Sequence, residues 1–383
     1  MKILYDYQAF TIQHFGGVSK CFCELISNLP KGINYRIGIA ESNNVHLQES
    51  GLIPDLPIAK MDGILFCKKY NFKGCSFFYK KMNELLPFIG TAEVKNRRAS
   101  VRCLKEGNFD VFHPTAMNDY FIPYVSNKPF VITIHDMMPE LYPEYYGINN
   151  YQVIFKQKHL CKAAAIIAVS ENTKNDIVRL LKVPEERIHV IYHGGPQKEK
   201  IKDAPIVNKP YFLFVGTRNY YKNYEQTIVD FGLFAKKNKD VCLVCTGPEF
   251  SQKEQAQIKN LNLSERVIHI KANDLELKNL YANAIAFIFP SLYEGFGIPI
   301  LEAFAYGCPV LLNNTSCFPE IAGEAALYFD STQGKSDLCE KLDYIYNNSG
   351  VRNALIVKGY QRLDMFSWKK SAQKLSDVYT SVL

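Results

Sequence analysis

Two glutamates eight positions apart, Glu294 and Glu302, flank a glycine-spaced turn in the phrase PSLYEGFGIPILEAFAYGCPV. The apolar run Ala286 to Phe289 predicts a strand, and Pro290-Ser291 stops it. Glu294-Gly295-Phe296-Gly297 reads as a loop whose backbone can come close to a ligand. Pro299 suits a first helical turn, where a missing N–H costs nothing. Ile300, Leu301, Ala303, Phe304 and Ala305 carry that helix to Gly307, a natural stop. Free amides and the positive end of the helix dipole then point at the loop and make an anion site. A carboxylate beside a phosphate repels it, so the two glutamates are placed to take hydroxyls instead. Either glutamate alone reads as an ordinary solvated or first-turn acid. The whole phrase, with amides for phosphate and carboxylates for hydroxyls, suits a sugar nucleotide.

Other polar groups stand at the carboxyl ends of apolar runs, where doubly wound sheets bind ligands. PFVITIHD (129–136) predicts a buried strand ending in His135-Asp136. Ala163 to Val169 predicts another, followed by Ser170 and the helix ENTKNDIVRLL. Ser170 reads equally as a helix cap and as a ligand contact. Tyr211 to Val215 predicts a strand leading into the basic loop Gly216-Thr217-Arg218-Asn219-Tyr220-Tyr221-Lys222-Asn223, with a helix from Tyr224. This places Arg218 and Lys222 in the crevice that Glu294 faces. The run at 241–245 predicts a strand that ends in Thr246-Gly247-Pro248.

The elements that position these groups follow from the pattern. Residues 2–10 predict the first strand, Gln13-His14-Phe15-Gly16-Gly17 a turn, and Val18, Phe22, Leu25, Ile26 and Leu29 an amphipathic helix closed by Pro30. Further strands are predicted at Tyr35 to Ala40, 110–114, Arg187 to Tyr192 and Val267 to Ile270. At 383 residues with 47% hydrophobic content the chain is long enough for two cores. The polar stretch PQKEKIKDAPIVNK (196–209) reads as the linker between them. Residues 1–200 are expected to form one doubly wound domain and 205–366 a second. Eleven cysteines without a disulfide-type spacing point to a reducing compartment. Cys242 and Cys245 read as strand residues. No run reaches the length of a membrane span, and the N-terminus opens on a strand rather than a signal peptide.

The formal charge of +7 is uneven. Between Lys60 and Glu106 there are eleven Lys or Arg against four acidic residues, interleaved with Tyr70, Phe72, Phe77, Phe78, Tyr79 and Phe88. Such a surface suits an anionic membrane or nucleic acid. The membrane is the preferred partner and no nucleic-acid role is expected. A solvated helical face is the plainer alternative.

The phrase from Pro290 to Val310 closely resembles the retaining glycosyltransferases of the GT-B fold, in the large family 4 that includes bacterial mannosyl- and glucosyltransferases. Their signature of Glu, seven residues and Glu stands here as Glu294-GFGIPIL-Glu302. The likeness is strong over 205–330 and looser over 1–200. It implies an α/β chain with the GT-B fold, two doubly wound Rossmann-like domains facing a cleft. The terminal helix, 367–383, is expected to return to the first domain. The resemblance assigns Glu294 to donor-sugar hydroxyls, Glu302 to the ribose, and the amides near Phe296, Gly297 and Ile298 to the sugar and diphosphate. It places Gly16 and Gly17 by the diphosphate and acceptor. His135 falls beside the donor sugar, Asp136 less firmly. Arg218 and Lys222 clamp the diphosphate, with Gly216, Asn223, Ser170 and Gly247 among the donor contacts. The chain contains no Asp-x-Asp, so a metal-free cation clamp is expected, with no cofactor beyond the nucleotide-sugar donor. The implied reaction moves a hexosyl group with retention to a saccharide or polyprenyl-linked acceptor in surface polysaccharide synthesis. TIHDMMPELYPEYY looks like members that use GDP-mannose. A UDP-hexose donor and a catalytically silent partner are the alternatives. The implied location is cytoplasmic, peripheral on the inner face of the membrane through 60–106.

Overall fold

The computed structural model describes residues 1–85, 90–125, 127–147, 149–332 and 335–383. By its contacts the chain forms two compact units. The first holds 1–169, 173–193 and 368–383, and the second holds 170–172 and 194–367.

In the first unit the strands are β1 (Lys2–Asp6), β2 (Asn34–Gly38), β3 (Val111–His113), β4 (Val131–Ile134), β5 (Ala165–Ala168) and β6 (Ile188–Val190). They form two three-stranded parallel sheets, ordered β2-β1-β3 and β4-β5-β6. A single parallel bridge, Phe112 to Phe130, links β3 to the chain entering β4. β1 is shorter than the pattern suggests. The Asp6 carboxylate accepts hydrogen bonds from the Gln8 amide N–H (3.3 Å) and side chain (2.7 Å), which turns the chain at Tyr7. A short helix, Gln8–Ile12, occupies the rest of the run assigned to the strand.

The helix Gly17–Ser27 buries Cys21, Phe22, Leu25 and Ile26. These meet Ala372, Leu375, Val378 and Tyr379 of the last helix, Trp368–Ser381, in one core. Each such large apolar side chain contributes roughly 1.5–3 kcal/mol by burial. The Tyr379 hydroxyl lies 2.8 Å from that of Tyr5 and 2.6 Å from His113 Nδ1, and His113 Nε2 lies 2.9 Å from Thr133 Oγ1. This buried chain of partners ties the last helix to β1, β3 and β4. It satisfies polar groups whose burial alone would be costly.

The second unit carries one continuous six-stranded sheet. Its strands are β7 (Tyr211–Phe214), β8 (Cys242–Cys245), β9 (Val267–His269), β10 (Ala286–Phe289), β11 (Val310–Asn313) and β12 (Ala326–Phe329). The order is β12-β11-β10-β7-β8-β9, with every pairing parallel. The strand order reverses between β7 and β10, which creates a switch point beyond their carboxyl ends. Fully buried strands of this kind read as unbroken apolar runs, as YFLF, CLVC and AFIF do.

Candidate functional site

The loops that follow β7 and β10 open side by side at that switch point. The helix Ile298–Ala305 begins with Gly297 in the left-handed region (φ 96°) and Pro299 in its first turn. Only glycine takes this conformation without strain. Pro299 brings no N–H to the first turn, and the Ile300 amide closes that turn on the Gly297 carbonyl at 2.9 Å. The Glu294 loop is fixed from behind. Ser316 Oγ accepts from the Glu294 amide N–H (3.1 Å) and donates to the Glu294 carbonyl (2.6 Å). Ser170 Oγ donates to the Gly295 carbonyl at 2.7 Å, and its residue is fully buried.

Lys222 and Glu294, 72 positions apart in the chain, meet here: Nζ lies 2.5 Å from Oε1. Both side chains are mostly shielded, at 14% and 16% exposure. The ammonium also sits 5.1 Å from the ring centres of Tyr221 and Phe289. Lys222 ends a single 3-10 turn, Tyr220–Lys222, and Asn223 follows with φ 53°. Asn223 Nδ2 donates to Ser331 Oγ at 2.9 Å, which locks the turn that aims Lys222. Gly216 and Gly247 bring the loops after β7 and β8 together. A Cβ on Gly247 would run into the Gly216 carbonyl, and both glycines have φ near +100° (105° and 97°). Glu302 lies on the helix, one turn in, beside the buried Tyr281. Burial, and then the Glu302 carboxylate, hold the Tyr281 hydroxyl well above its ordinary pKa.

Arg218 is engaged elsewhere. Its side chain is 3% exposed, and Nε donates to Glu254 Oε1 at 2.6 Å. The two terminal nitrogens donate to the carbonyls of Thr246 (3.2 Å), Glu249 (3.0 Å) and Pro248. The guanidinium lies between Phe250, 4.7 Å from its ring centre, and Tyr224, at 5.7 Å. Burial alone would raise the Glu254 carboxyl, but hydrogen bonds from Ser251 and Arg218 outweigh it and hold it below its ordinary value. The structure therefore pairs Lys222 with Glu294 and uses Arg218 to fasten the turn at 246–250.

In the first unit His135 follows β4 directly. Phe22 meets its ring edge-on at 5.9 Å, and the ring of His193 lies nearly parallel at 5.8 Å. Burial pulls its pKa down to about 4, so the ring is neutral at physiological pH. Asp136 accepts from the Met138 amide N–H at 2.9 Å and so starts the short helix Met138–Leu141. The fully buried Lys156 donates to the Asp136 carbonyl (3.1 Å) and to Glu140 (2.9 Å), fixing the turn after His135. Gly16 and Gly17 lie at the entry to the helix Gly17–Ser27, and Gly17 faces open space. Asp6, the last residue of β1, is fully buried among Gln8, Thr115 and Tyr120. Burial raises its carboxyl.

Asp6, His193 and Lys156 are absent from the sequence-derived set. The signal for the first two was available, since each stands at the carboxyl end of a strand as His135 does. Nothing local marks Lys156.

Two Rossmann-like α/β units, the second carrying an acidic–basic pair at its switch point, define the class: a GT-B glycosyltransferase fold. The family models "Glycosyltransferase Family 4" and "Glycosyl transferases group 1" match residues 83–195 and 196–362. Together they take in most of the chain, which belongs to this glycosyltransferase family. The chain is 30% identical to the O-antigen chain mannosyltransferase RfbU of Salmonella typhimurium, over 56% of this chain and 60% of that one. It is 27% identical to the O-antigen chain mannosyltransferase B of Escherichia coli, over 68% of this chain and 72% of that one. The matched stretch thus spans under two thirds of the Salmonella protein. Among solved structures, Anabaena Alr3699/HepE in complex with UDP and glucose aligns over all of both chains with a TM-score of 0.72 at 16% identity. Sucrose-phosphate synthase of Thermosynechococcus elongatus gives the same score and identity over 100% of this chain and 98% of that one. At that identity both speak to the fold alone.

Among the described residues no helix is long and apolar enough to cross a membrane. Of the aromatic residues interleaved with the basic segment, Tyr70, Phe72, Phe77 and Phe78 are exposed. Tyr79 is buried against Phe66 and Cys75. Phe88 lies outside the described residues.

Proposed function

We propose that the chain transfers a hexosyl group, mannose from GDP-mannose in the first instance, to a hydroxyl of a saccharide or lipid-linked oligosaccharide in surface polysaccharide synthesis. The contact between Lys222 and Glu294 carries this reading. In the donor, the bond to be broken joins the sugar to a diphosphate. A cation for the diphosphate and a carboxylate for the sugar hydroxyls must therefore lie next to each other, as these two do. The named activity of the two O-antigen mannosyltransferases supports mannose as the sugar. A UDP-hexose donor is the second reading; the Anabaena complex, alike in fold, holds UDP and glucose.

In the proposed reaction the donor replaces the internal ion pair. Lys222 turns to the diphosphate and Glu294 accepts hydrogen bonds from the sugar. The amides of Phe296, Gly297 and Ile298 and the helix dipole add positive potential at the phosphates, and Glu302 takes the ribose. Gly216 and Gly247 let backbone approach the nucleotide. Charge grows on the departing diphosphate in the transition state, and Lys222 stabilises it where it forms. This cation arrangement is proposed to serve without a metal. The sugar passes through an oxocarbenium-like state, as in glycoside hydrolysis, and keeps its anomeric configuration. His135, neutral and held by the Phe22 ring, is assigned to positioning the sugar. The exposed Phe77 and Phe78, amid the Lys and Arg of 60–106, are assigned to contact with anionic lipid at the inner membrane face.

Thermal shift in chelator against GDP, UDP, ADP and dTDP and their sugars tests the donor. A ligand at a hundred times its Kd stabilises by roughly 2.7 kcal/mol. A shift with GDP and GDP-mannose alone is expected. A shift with UDP alone transfers the reading to a UDP-hexose, and no shift with any nucleotide defeats it.

A further inference from the structure

The first unit encloses three side chains that the transfer reading does not use together. Cys21 on the helix Gly17–Ser27, His135 after β4 and His193 after β6 each offer one ligand atom, all within 4.8 Å of one another. Cys21 Sγ already lies 3.3 Å from His193 Nδ1. His135 Nε2 is buried and has no hydrogen-bond partner, an uncommon state for a polar atom in a native interior. Cys21 and His193 are buried, and His135 is partly so. Aromatic rings wall the group: Phe22 meets His135 at 5.9 Å and Trp368 meets His193 at 5.6 Å.

We infer that Cys21, His135 and His193 form a binding site for a thiophilic d10 cation, Zn2+ being the fitting case, and that the bound ion switches the enzyme off by capturing His135. One thiolate and two imidazoles are the donor set that selects such ions over Mg2+ or Ca2+. Tetrahedral zinc, with bonds of about 2.3 Å to sulfur and 2.0–2.1 Å to nitrogen, holds its ligand atoms roughly 3.3–3.6 Å apart. The Cys21–His193 pair, at 3.3 Å, meets that spacing, and the remaining separations are within 4.8 Å. Three protein ligands leave a fourth position for water. On binding, the Cys21 thiol gives its proton to solvent and its sulfur lone pair to the metal, with no change of oxidation state. The inhibitory half of the inference rests on the proposed role of His135 in transfer, whereas the binding half does not.

The test uses the full chain. Zn2+ competition against a chromophoric chelator, without donor, is expected to give one tight site in the wild type. Cys21→Ser is expected to weaken it more than about tenfold, the least that disturbing even an outer-shell partner costs. The exposed Cys161, changed to Ser, is the control that leaves it intact. Co2+ bound to the wild type is expected to show a thiolate-to-metal charge-transfer band. This measurement needs no variant and stands if Cys21→Ser fails to fold. In transfer assays Zn2+ is expected to inhibit the wild type and to be more than about tenfold less potent on Cys21→Ser, whose basal rate is unchanged. Absence of the cobalt–thiolate band, or equal Zn2+ affinity in wild type and Cys21→Ser, overturns the site. Tight binding with no effect on measurable transfer overturns the inhibitory role. Tight binding in a protein that shifts with no nucleotide leaves the site standing and defeats the transfer reading instead.

Discussion

The two units use the same strand–helix grammar and place their polar groups in opposite ways. In the second unit the sheet is continuous, its strands YFLF, CLVC and AFIF are apolar throughout, and the charged pair Lys222–Glu294 stands beyond the strand ends. In the first unit the sheet is two short sheets joined by one bridge, and polar groups enter the core itself. Tyr5, His113, Thr133 and Tyr379 run through it as one hydrogen-bonded chain, with Cys21, His135 and His193 beside them. A core of the second kind keeps binding and stability separate. A core of the first kind couples its polar residues to the stability of the fold.

The sharpest break of this comparison is in apolar packing. Phe22→Ala removes a ring that touches Tyr5, His113 and His135, and is expected to cost about 3–5 kcal/mol in urea unfolding. Nucleotide-induced stabilisation should survive wherever the variant is folded. Lys222→Ala is the mirror case. Transfer is expected to fall by roughly 10²–10³, about 2.7–4 kcal/mol of transition-state stabilisation, with Tm little changed. Wild-type kcat in that variant refutes the clamp.

Acid sharpens the contrast further. Burial holds His113 down to about 3 and His193 well below its usual value. The unfolded chain takes up these protons first, near pH 6.5, while the folded protein resists. Their stabilisation is therefore complete above that pH and is lost as pH falls toward 3, each group adding a slope of up to about 1.4 kcal/mol per pH unit. Urea midpoints at pH 7 and pH 5 should show the drop, and His113→Gln should flatten it. A slope unchanged by that substitution removes His113 from the account. The smallest expected effect is that of Tyr379→Phe, which deletes one hydroxyl from the buried chain and is expected to cost about 1–3 kcal/mol of stability and no donor affinity.

The legibility of the molecule follows the same division. The predicted strand Ala286 to Phe289 is β10 residue for residue, and Gly297 with Pro299 starts the predicted helix, because turn chemistry and apolar runs are local signals. The helix 171–181 likewise matches its pattern. The meeting of Lys222 with Glu294 depends on β7 and β10 becoming neighbours, which no spacing along the chain encodes. Arg218 has the residue type and loop position of a phosphate ligand, and its bonds to Glu254 and to the carbonyls of Thr246 and Glu249 form only once the two loops fold together, so no local spacing announces them. The sequence pattern runs the first strand too far because YDYQAF carries enough apolar residues for a strand, whereas the Asp6 carboxylate and Gln8 settle where it stops. The triad of Cys21, His135 and His193 is assembled from three separate segments, after β1, β4 and β6, and has no linear signature.

The position of the last helix sets a clock on synthesis. Tyr5 finds its hydroxyl partner 374 positions later in the chain. At about 5–20 residues per second, that partner reaches the nascent chain roughly 20–75 s after Tyr5 itself. During that interval the second unit, whose contacts all lie between 170 and 367, has everything it needs to close, while the first waits with an open flank. The part of the protein made first is therefore the part finished last.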